Sequence, residues 1–246
     1  MHAIADNAFT QSLKQASQLY AQPKLILCIS AHWTTDKTLV THMAHPKTIH
    51  DFYGFPKALF DVQYPAPGDP QMAEYIRDMI DAPLVGLDDH AWGIDHGTWA
   101  VLRHMYPHAN IPVIQMSLDM TKHPADHYAI GMHLKRLRDE GVLIIGSGNI
   151  VHNLRILNWD TPQGGYDWAV DFDAWANSHI QARDYEPLIY DYMKTEAGRL
   201  SVPTPDHYLP LLYVLGASDP QDRIDTFYTG MEFGSLSMRS FAMIPE

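Results

Sequence analysis

Residues 25–33 have the sequence LILCISAHW, an apolar run that leads directly into a histidine. From Leu25 to Ile29 there is no alternation of apolar and polar side chains, a pattern typical of strands in parallel sheets that are covered on both faces. Similar runs occur at residues 111–114 and 142–145. We therefore predict three strands of one sheet, each buried on both faces.

Helical patterns separate these strands along the chain. The predicted helices span residues 9–20, 70–81, 98–106, 125–140, 172–183 and 207–215, and further strands are expected at 38–41 and within 226–244. Asp69, Asp95 and Asp206 are the expected N-caps of three of these helices. The alternation of strands and helices predicts an α/β fold, with a single domain over residues 1–246 and a mostly parallel central sheet flanked by helices.

The composition argues against several functional classes. The chain has 246 residues, 46% of them hydrophobic, and its 17 Lys and Arg against 29 Asp and Glu give a formal charge of −12. Because nucleic acids and anionic membranes bind to basic surfaces, neither is an expected partner. Cys28 is the single cysteine, no signal peptide is recognised, and the longest apolar runs are too short to span a bilayer. We expect a soluble, cytosolic protein.

Fifteen histidines are the unusual feature of the composition. His32 and His152 each follow a predicted strand, and ligands of open α/β sheets bind at the carboxyl ends of the strands. Either imidazole could act as a metal ligand or as a general acid or base, but a hydrogen-bonded structural histidine explains each one equally well. Two such histidines at one edge of the sheet favour a site.

Three further histidines are weaker candidates. His207 lies at the start of a predicted helix, where a surface histidine is the commoner finding. His50 stands beside Asp51, and His96 beside Asp95, in segments rich in aromatic residues. Such pairs could orient an aromatic, oxygen-bearing substrate, and ordinary loop packing with Asp95 as an N-cap explains the same residues.

The remaining signals are structural or absent. Six histidines on predicted helices or at their edges are expected to face solvent: His104, His108, His123, His127, His133 and His179. Cys28, inside a buried strand, is expected to be an inert apolar group. There is no Gly-x-Ser-x-Gly elbow, Walker loop or dinucleotide-binding glycine motif, which disfavours serine esterases, NTPases and dehydrogenases. A histidine-rich site remains.

Six segments, taken in order, resemble those of the DODA-type extradiol ring-cleavage dioxygenases of the LigB superfamily. They are SAHW (30–33), TIHDF (48–52), YPAPG (64–68), WGIDHG (92–97), GNIVHNL (148–154) and PTPDHYLP (203–210). The resemblance covers nearly the whole chain. It implies a non-haem Fe(II) enzyme, sometimes isolated with zinc, that uses O₂ to open a small catechol such as L-DOPA beside its two hydroxyls.

The resemblance also implies roles for individual residues. His32 and His207 would be metal ligands, and His152 would be the catalytic acid/base, although the corresponding histidine is sometimes assigned as a ligand too. Three protein ligands would leave coordination positions free for the catechol and O₂. Three residues would line the substrate pocket: His50, Asp95 and His96.

One feature departs from the family pattern. Family members begin with a strand that ends in Gly-His-Gly-Ser-Pro-Met, whose histidine is the first metal ligand, and the present sequence starts at the methionine of that segment. We therefore expect a sheet without this strand and a site without this ligand. A wrongly chosen start, a shortened chain, replacement of the ligand by His2 or by a partner chain, and a non-catalytic relative all stay open. A zinc-dependent hydrolase using His32, His152 and His207 is the alternative activity.

Overall fold

The computed structural model describes residues 2–19, 21–80 and 85–245. Its helices are α1 (Ala8–Ala16), α2 (Lys57–Phe60), α3 (Pro70–Met79), α4 (His96–Met105), α5 (Pro124–Leu134), α6 (Asp167–Ala182), α7 (Glu186–Tyr190), α8 (Glu196–Ser201) and α9 (Leu209–Ala217). Its strands are β1 (Leu25–Thr35), β2 (Leu39–Thr41), β3 (Gly86–Asp88), β4 (Val113–Asp119), β5 (Val142–Ser147), β6 (Arg223–Tyr228), β7 (Met231–Glu232), β8 (Leu236–Ser237) and β9 (Ser240–Ile244). Among these residues, no helix combines the length and apolarity needed to cross a bilayer.

Five strands form the central sheet in the order β3-β2-β4-β1-β5. β1 pairs in parallel with β4 on one side and with β5 on the other, and β2 pairs in parallel with β3. The contact between β2 and β4 is antiparallel. β6 with β9 and β7 with β8 form two small antiparallel sheets. The predicted α/β fold with a mostly parallel sheet is confirmed.

Both faces of the central sheet carry a hydrophobic cluster. Successive side chains of a strand point to opposite faces, so Leu27 and Ile29 of β1 join the larger cluster, to which α5, α6 and α9 contribute. Ile26 joins the smaller cluster with Trp99 of α4 and Tyr64. Because both faces are covered, β1 has no polar positions in its first half.

The three apolar strands predicted from the sequence differ in burial. β1 is buried from Leu25 to Ala31, which confirms the prediction for residues 25–29. β4 is buried throughout, but it spans Val113–Asp119 rather than the predicted residues 111–114. In β5, Val142 is buried but the next five residues are half-exposed, so the prediction of full burial is wrong there. β5 is the edge strand of the sheet, and no described strand pairs with its outer side.

Helix starts depend on which side chains cap them. Asp69 and Asp95 each accept a hydrogen bond from the backbone N–H of the third residue of the helix that follows, so both predicted N-caps are confirmed. Asp206 is not a cap, because α9 begins later than predicted, with Tyr208 at the N-cap position. The carbonyl of Pro205 accepts from the backbone of Tyr208 and closes a turn before the helix starts.

Helix ends also differ from the sequence prediction. α1 ends at Ala16, and its predicted end at Tyr20 lies outside the described residues, as does the predicted end of α3 at Asp81. α5 ends at Leu134 and passes into a 3₁₀ turn before Gly141, which has a left-handed φ of 85°.

His127 on α5 is buried, which contradicts the expectation that it faces solvent. Its side chain is 0% exposed, and Nδ1 lies 2.9 Å from the hydroxyl of Tyr213 on α9. Burial lowers the pKa of His127 to about 4. The prediction failed because α5 carries few charged residues and therefore shows no polar stripe in its sequence.

Cys28 is buried in β1, and burial raises the pKa of its thiol to about 12. Both observations agree with the prediction that Cys28 is an inert apolar group.

Candidate active site

Four histidine rings lie in an unbroken row. The ring centroids of His96 and His32 are 3.9 Å apart, and those of His32 and His207 are 5.1 Å apart. His207 and His152 are stacked, with centroids 3.4 Å apart and ring planes within 5° of parallel. The structure thus brings together the three histidines to which the family resemblance gives metal or acid/base roles, and it adds His96 to them.

Each ring reaches the row from a different element. His32 lies on β1 where its register against β4 shifts, His96 is the first residue of α4, and His152 lies in the loop after β5. His207 lies in the turn before α9. A Cβ added to Gly148 would lie 2.2 Å from the carbonyl oxygen of His207, so this close approach requires glycine.

Asp51 orients His96. Its Oδ1 accepts the backbone N–H of His96 at 2.9 Å, and its Oδ2 lies 2.8 Å from the ring Nδ1. Although burial raises the pKa of the Asp51 carboxyl, the hydrogen bonds from His96 outweigh burial and hold this pKa below its usual value. The ionised carboxylate accepts a hydrogen bond from Nδ1–H of His96 and so fixes the orientation of the ring.

Asn149 orients His207 in the same way. Its Oδ1 is 3.1 Å from Nδ1 of His207, while its Nδ2 donates to the carbonyl of Ser237 at 2.8 Å. The second bond fixes which amide atom faces the ring, so Nδ1 of His207 is the donor and Nε2 carries the lone pair. Asn149 also donates its backbone N–H to the His207 carbonyl at 2.8 Å. The loop after β5 therefore holds His207 through side chain and backbone together.

Burial keeps three of these rings uncharged at neutral pH. It lowers the pKa of His152 to about 4 and, together with the neighbouring His152, lowers the pKa of His207 well below its usual value. Burial and the adjacent His96 lower the pKa of His32. Uncharged imidazoles with an available lone pair are the form that binds metal ions.

Asp95 is fully buried, and its oxygens accept hydrogen bonds from the protein. Oδ1 accepts from Ser30 Oγ at 2.9 Å, and Oδ2 accepts from Gln115 Nε2 at 2.7 Å and from Trp92 Nε1 at 3.2 Å. These bonds tie β1, β4 and the start of α4 together, so they help to position the elements that carry His32 and His96. A contact between Asp95 and a substrate stays a prediction.

His50 lies beyond the row, in an aromatic cluster. Its Nε2 is 2.9 Å from the carbonyl oxygen of Val62, and its ring centroid is 5.9 Å from that of Phe52. The Phe52 ring is in turn 5.2 Å from His96. The adjacent Tyr53 is 91% exposed. This segment therefore presents aromatic surface near one end of the row, and contact of His50 with a substrate stays a prediction.

The donor set fits a divalent transition-metal ion. His32, Asp51 and His96 each place a ligand atom within 4.8 Å of the others. This group shares His32 with the ligands predicted from the sequence, which also include His207 and His152. Both oxygens of Asp51 already bond to His96, which suits a carboxylate that orients a metal-binding ring. Neutral imidazoles supported in this way are typical ligands of iron and zinc.

Two supporting residues were overlooked in the sequence. Asp51 stands beside His50 in the sequence but hydrogen-bonds to His96, and Asn149 of the GNIVHNL segment hydrogen-bonds to His207. A polar residue next to a candidate histidine is the available signal. Which ring it contacts depends on tertiary structure, because Asp51 and His96 are far apart in sequence.

Comparison with known proteins gives a consistent result. A family profile described as the catalytic LigB subunit of aromatic ring-opening dioxygenase matches residues 2–236. A 4,5-DOPA dioxygenase extradiol of Escherichia coli (strain K12) is 46% identical over 243 residues, 98% of this chain and 89% of the relative. One of Beta vulgaris is 37% identical over 225 residues, 89% of this chain and 82% of the relative. The crystal structure of an uncharacterized Escherichia coli K12 protein has a TM-score of 0.82 and 42% identity, covering 97% of this chain and 93% of that one.

Proposed function

The chain belongs to the LigB family of aromatic ring-opening dioxygenases, and from this premise we propose that it opens a small catechol of the L-DOPA type by extradiol cleavage with O₂. The observation that carries this proposal is the row of four closely packed histidine rings. Extradiol cleavage breaks a ring bond beside the two hydroxyls and places both oxygen atoms of O₂ in the product. Such a reaction needs several ligand nitrogens and a proton acceptor within one small volume.

We assign His32 and His207 as ligands of an Fe(II) ion, with Zn(II) as a possible substitute in the isolated protein. The bond from His207 Nδ1 to Asn149 supports this assignment because it leaves Nε2 of His207 available. His32 lies between His207 and His96, so it can contribute to either pair. When bound, the iron supplies Lewis acidity toward the catechol oxygens and redox reactivity toward O₂.

We assign proton transfer to His152, which could also be a ligand. Its ring stacks on His207 and therefore lies beside the proposed metal position. An uncharged ring nitrogen of His152 can accept a proton from a catechol hydroxyl and later return one to the ring-opened product. This role requires that the ring be free to turn toward the substrate rather than be held by an ion.

The substrate pocket is proposed to lie alongside the row, within reach of both His96 and the proton-transfer residue His152. His96, His50 and Asp95 are the residues assigned to it, and Phe52 is positioned to offer a ring edge or face to the catechol. The enzyme is proposed to act as a single catalytic domain in the cytosol, without nucleic acid or membrane as a partner.

Anaerobic loading with Fe(II), followed by O₂ uptake with L-DOPA, tests the activity. We expect O₂ uptake and a coloured ring-opened product. His152→Ala should lower the rate by at least about 100-fold while metal content stays near that of the unmodified chain. His108→Ala, at an exposed position, is the matched control and should change neither rate nor metal content.

Metal content also tests the ligand assignment. His32→Ala and His207→Ala should both lose iron, whereas Asp51→Asn should retain more of it. Loss of iron in His152→Ala would make this residue a ligand, and loss in Asp51→Asn with retention in His207→Ala would favour the set of His32, Asp51 and His96. No O₂ uptake at full iron occupancy would contradict the dioxygenase proposal, and ester hydrolysis with zinc alone would favour a hydrolase.

A further inference from the structure

Three phenylalanine rings continue outward from the His96 end of the histidine row. The Phe52 ring centroid lies 5.2 Å from that of His96, with the ring planes at 86° to each other. It also lies 4.9 Å from Phe60 and 5.5 Å from Phe55. We call Phe52, Phe55 and Phe60 the phenylalanine cluster. The cluster begins in contact with the candidate active site and extends away from it.

The inner side of the phenylalanine cluster rests on buried or hydrogen-bonded rings. Trp99 of α4 is 0% exposed, its ring centroid is 6.1 Å from that of Phe52, and its Nε1 donates to the carbonyl of Ile49 at 2.8 Å. The His50 ring lies 5.9 Å from Phe52 and 6.1 Å from Phe60. Because Trp99 belongs to the packed core, it holds Phe52 in place from behind.

The outer side of the cluster is open to solvent. Phe55 is 49% exposed and Phe60 is 37% exposed. Gly54, just before Phe55, has a left-handed φ of 78°, and a Cβ added to it would meet no atom within 4 Å. Exposed apolar rings that adjoin a candidate site are typical of ligand-binding surfaces. A ligand that covers these rings gains affinity from the apolar area it removes from water.

The segment that carries the cluster has few charges to offer a ligand. Between residues 50 and 61, the charged side chains are Asp51, Lys57 and Asp61. Both oxygens of Asp51 bond to His96, and Lys57 donates to Asp61 at 2.6 Å. The ammonium and carboxylate groups of an amino acid side chain therefore gain little from this surface, whereas an uncharged apolar group fits it.

We propose that the phenylalanine cluster binds the ring substituent of the substrate, and that the preferred substrates are catechols with an aromatic or other apolar substituent para to one hydroxyl. The hydroxyls of a bound catechol face the histidine row, so a substituent on the opposite edge of its ring can extend past His96 to Phe52. Phe55 and Phe60 then cover the substituent. This substrate class narrows the proposed catechol cleavage and rests on it.

Anaerobic titration calorimetry of the zinc-loaded full chain tests the preference without turnover. The probes are 4-benzylcatechol and 4-methylcatechol, which share the diol and differ by one phenyl ring. We expect 4-benzylcatechol to bind about 10- to 100-fold more tightly, as burial of a phenyl ring implies, and L-DOPA to bind no more tightly than 4-methylcatechol. In turnover with iron and O₂, the benzyl group should lower KM rather than raise kcat, because it contributes equally to the bound substrate and the transition state.

Substitutions in the cluster locate the benzyl group. Phe55→Ala and Phe60→Ala, at partly exposed positions, should each reduce the affinity ratio of the two probes by about threefold or more and leave the affinity for 4-methylcatechol unchanged. Tyr190→Ala is the matched control, because it removes an aromatic side chain that is 61% exposed on α7, and it should keep the ratio. Phe55→Ala is sufficient for the test if Phe60→Ala does not fold.

The outcomes separate the substrate preference from the proposed activity. Equal affinity for the two probes, no binding of either, or a ratio that survives Phe55→Ala and Phe60→Ala would overturn the role of the phenylalanine cluster. O₂ uptake with L-DOPA in the same preparation would then leave the dioxygenase activity standing. Conversely, a ratio that depends on both phenylalanines supports the cluster as the binding surface, even if no catechol leads to O₂ uptake at full iron occupancy and the activity is contradicted.

Discussion

β4 and β5 have similar apolar sequences but different environments. Every residue of β4 is buried, whereas five of the six residues of β5 are half-exposed. β4 lies between two strands, and β5 lies at the edge of the sheet. An apolar run therefore indicates that a strand can be buried on both faces. Whether the strand is buried depends on the elements that pack next to it in the fold.

The same difference in burial is found among the elements that carry the histidine row of the candidate active site. β1, which pairs with a strand on each side, carries the partly buried His32, whereas the loop after β5 carries Asn149 and His152 and touches His207. One half of the histidine row thus depends on the best-packed part of the sheet and the other half on its least-covered edge. Three predictions test this difference between the packed part of the sheet and its β5 edge, in order of decreasing expected effect.

Replacing one isoleucine in each strand by alanine should give the largest difference in the free energy of unfolding between a β4 variant and a β5 variant. Ile114 of β4 is 0% exposed, and Ile145 of β5 is half-exposed. We expect Ile114→Ala to lower the free energy of unfolding by about 2–5 kcal/mol, because it leaves a cavity in a packed region. Ile145→Ala should cost about 1 kcal/mol. Urea unfolding of the two variants measures the difference, and equal costs would show that β5 is as well packed as β4.

Acid should weaken the packed region through His127. Its pKa is about 4 in the folded protein and 6.5 in the usual reference state. Below about pH 6.5 the unfolded chain takes up a proton that the buried ring does not, so stability should fall as the pH is lowered from about 6.5 to about 4. The contribution of this one group is about 3 kcal/mol at most.

The comparison of His127→Asn with the unmodified chain isolates that contribution, because other buried histidines titrate in the same pH range. The urea midpoint of His127→Asn should depend less steeply on pH between about 6.5 and about 4. His108→Asn, at an exposed position, should keep the original slope. An unchanged slope in His127→Asn would mean that its ring is not held uncharged by the fold.

A methyl group at Gly148 should disturb the edge half of the row. The added Cβ would lie 2.2 Å from the His207 carbonyl oxygen, whereas at Gly230 the nearest atom is 3.4 Å away, an ordinary contact. We expect Gly148→Ala to weaken zinc binding about 10- to 100-fold by moving His207, and Gly230→Ala to leave it unchanged. Competition with a chromogenic chelator measures both. Unchanged affinity in Gly148→Ala would argue against His207 as a ligand.

Local patterns predicted most of the fold. The three apolar runs became β1, β4 and β5, and Asp69 and Asp95 cap the helices expected of them. Short elements escaped prediction: β3 pairs through three residues and α2 has four, too few for a periodic signal. The end of α5 was also misjudged, since its change to a 3₁₀ turn has no marker before Gly141.

The candidate site was predicted in its residues more than in its contacts. His32, His152 and His207 were singled out by position and by family resemblance, and the structure brings them into one row. The role of Asp51 toward His96 was not foreseen, because the loop that joins them is set by packing between distant segments.

The sequence by itself determined the type of fold and the candidate histidines, because hydrophobic periodicity and capping act over a few neighbouring residues. Only the tertiary structure decided that β5 is half-exposed, that His127 is buried, and that Asp51 and Asn149 orient the rings of His96 and His207. Those properties depend on which segments, distant in sequence, pack against each other. This packing determines the surroundings and hydrogen-bond partners of a side chain, and the local sequence around that side chain does not.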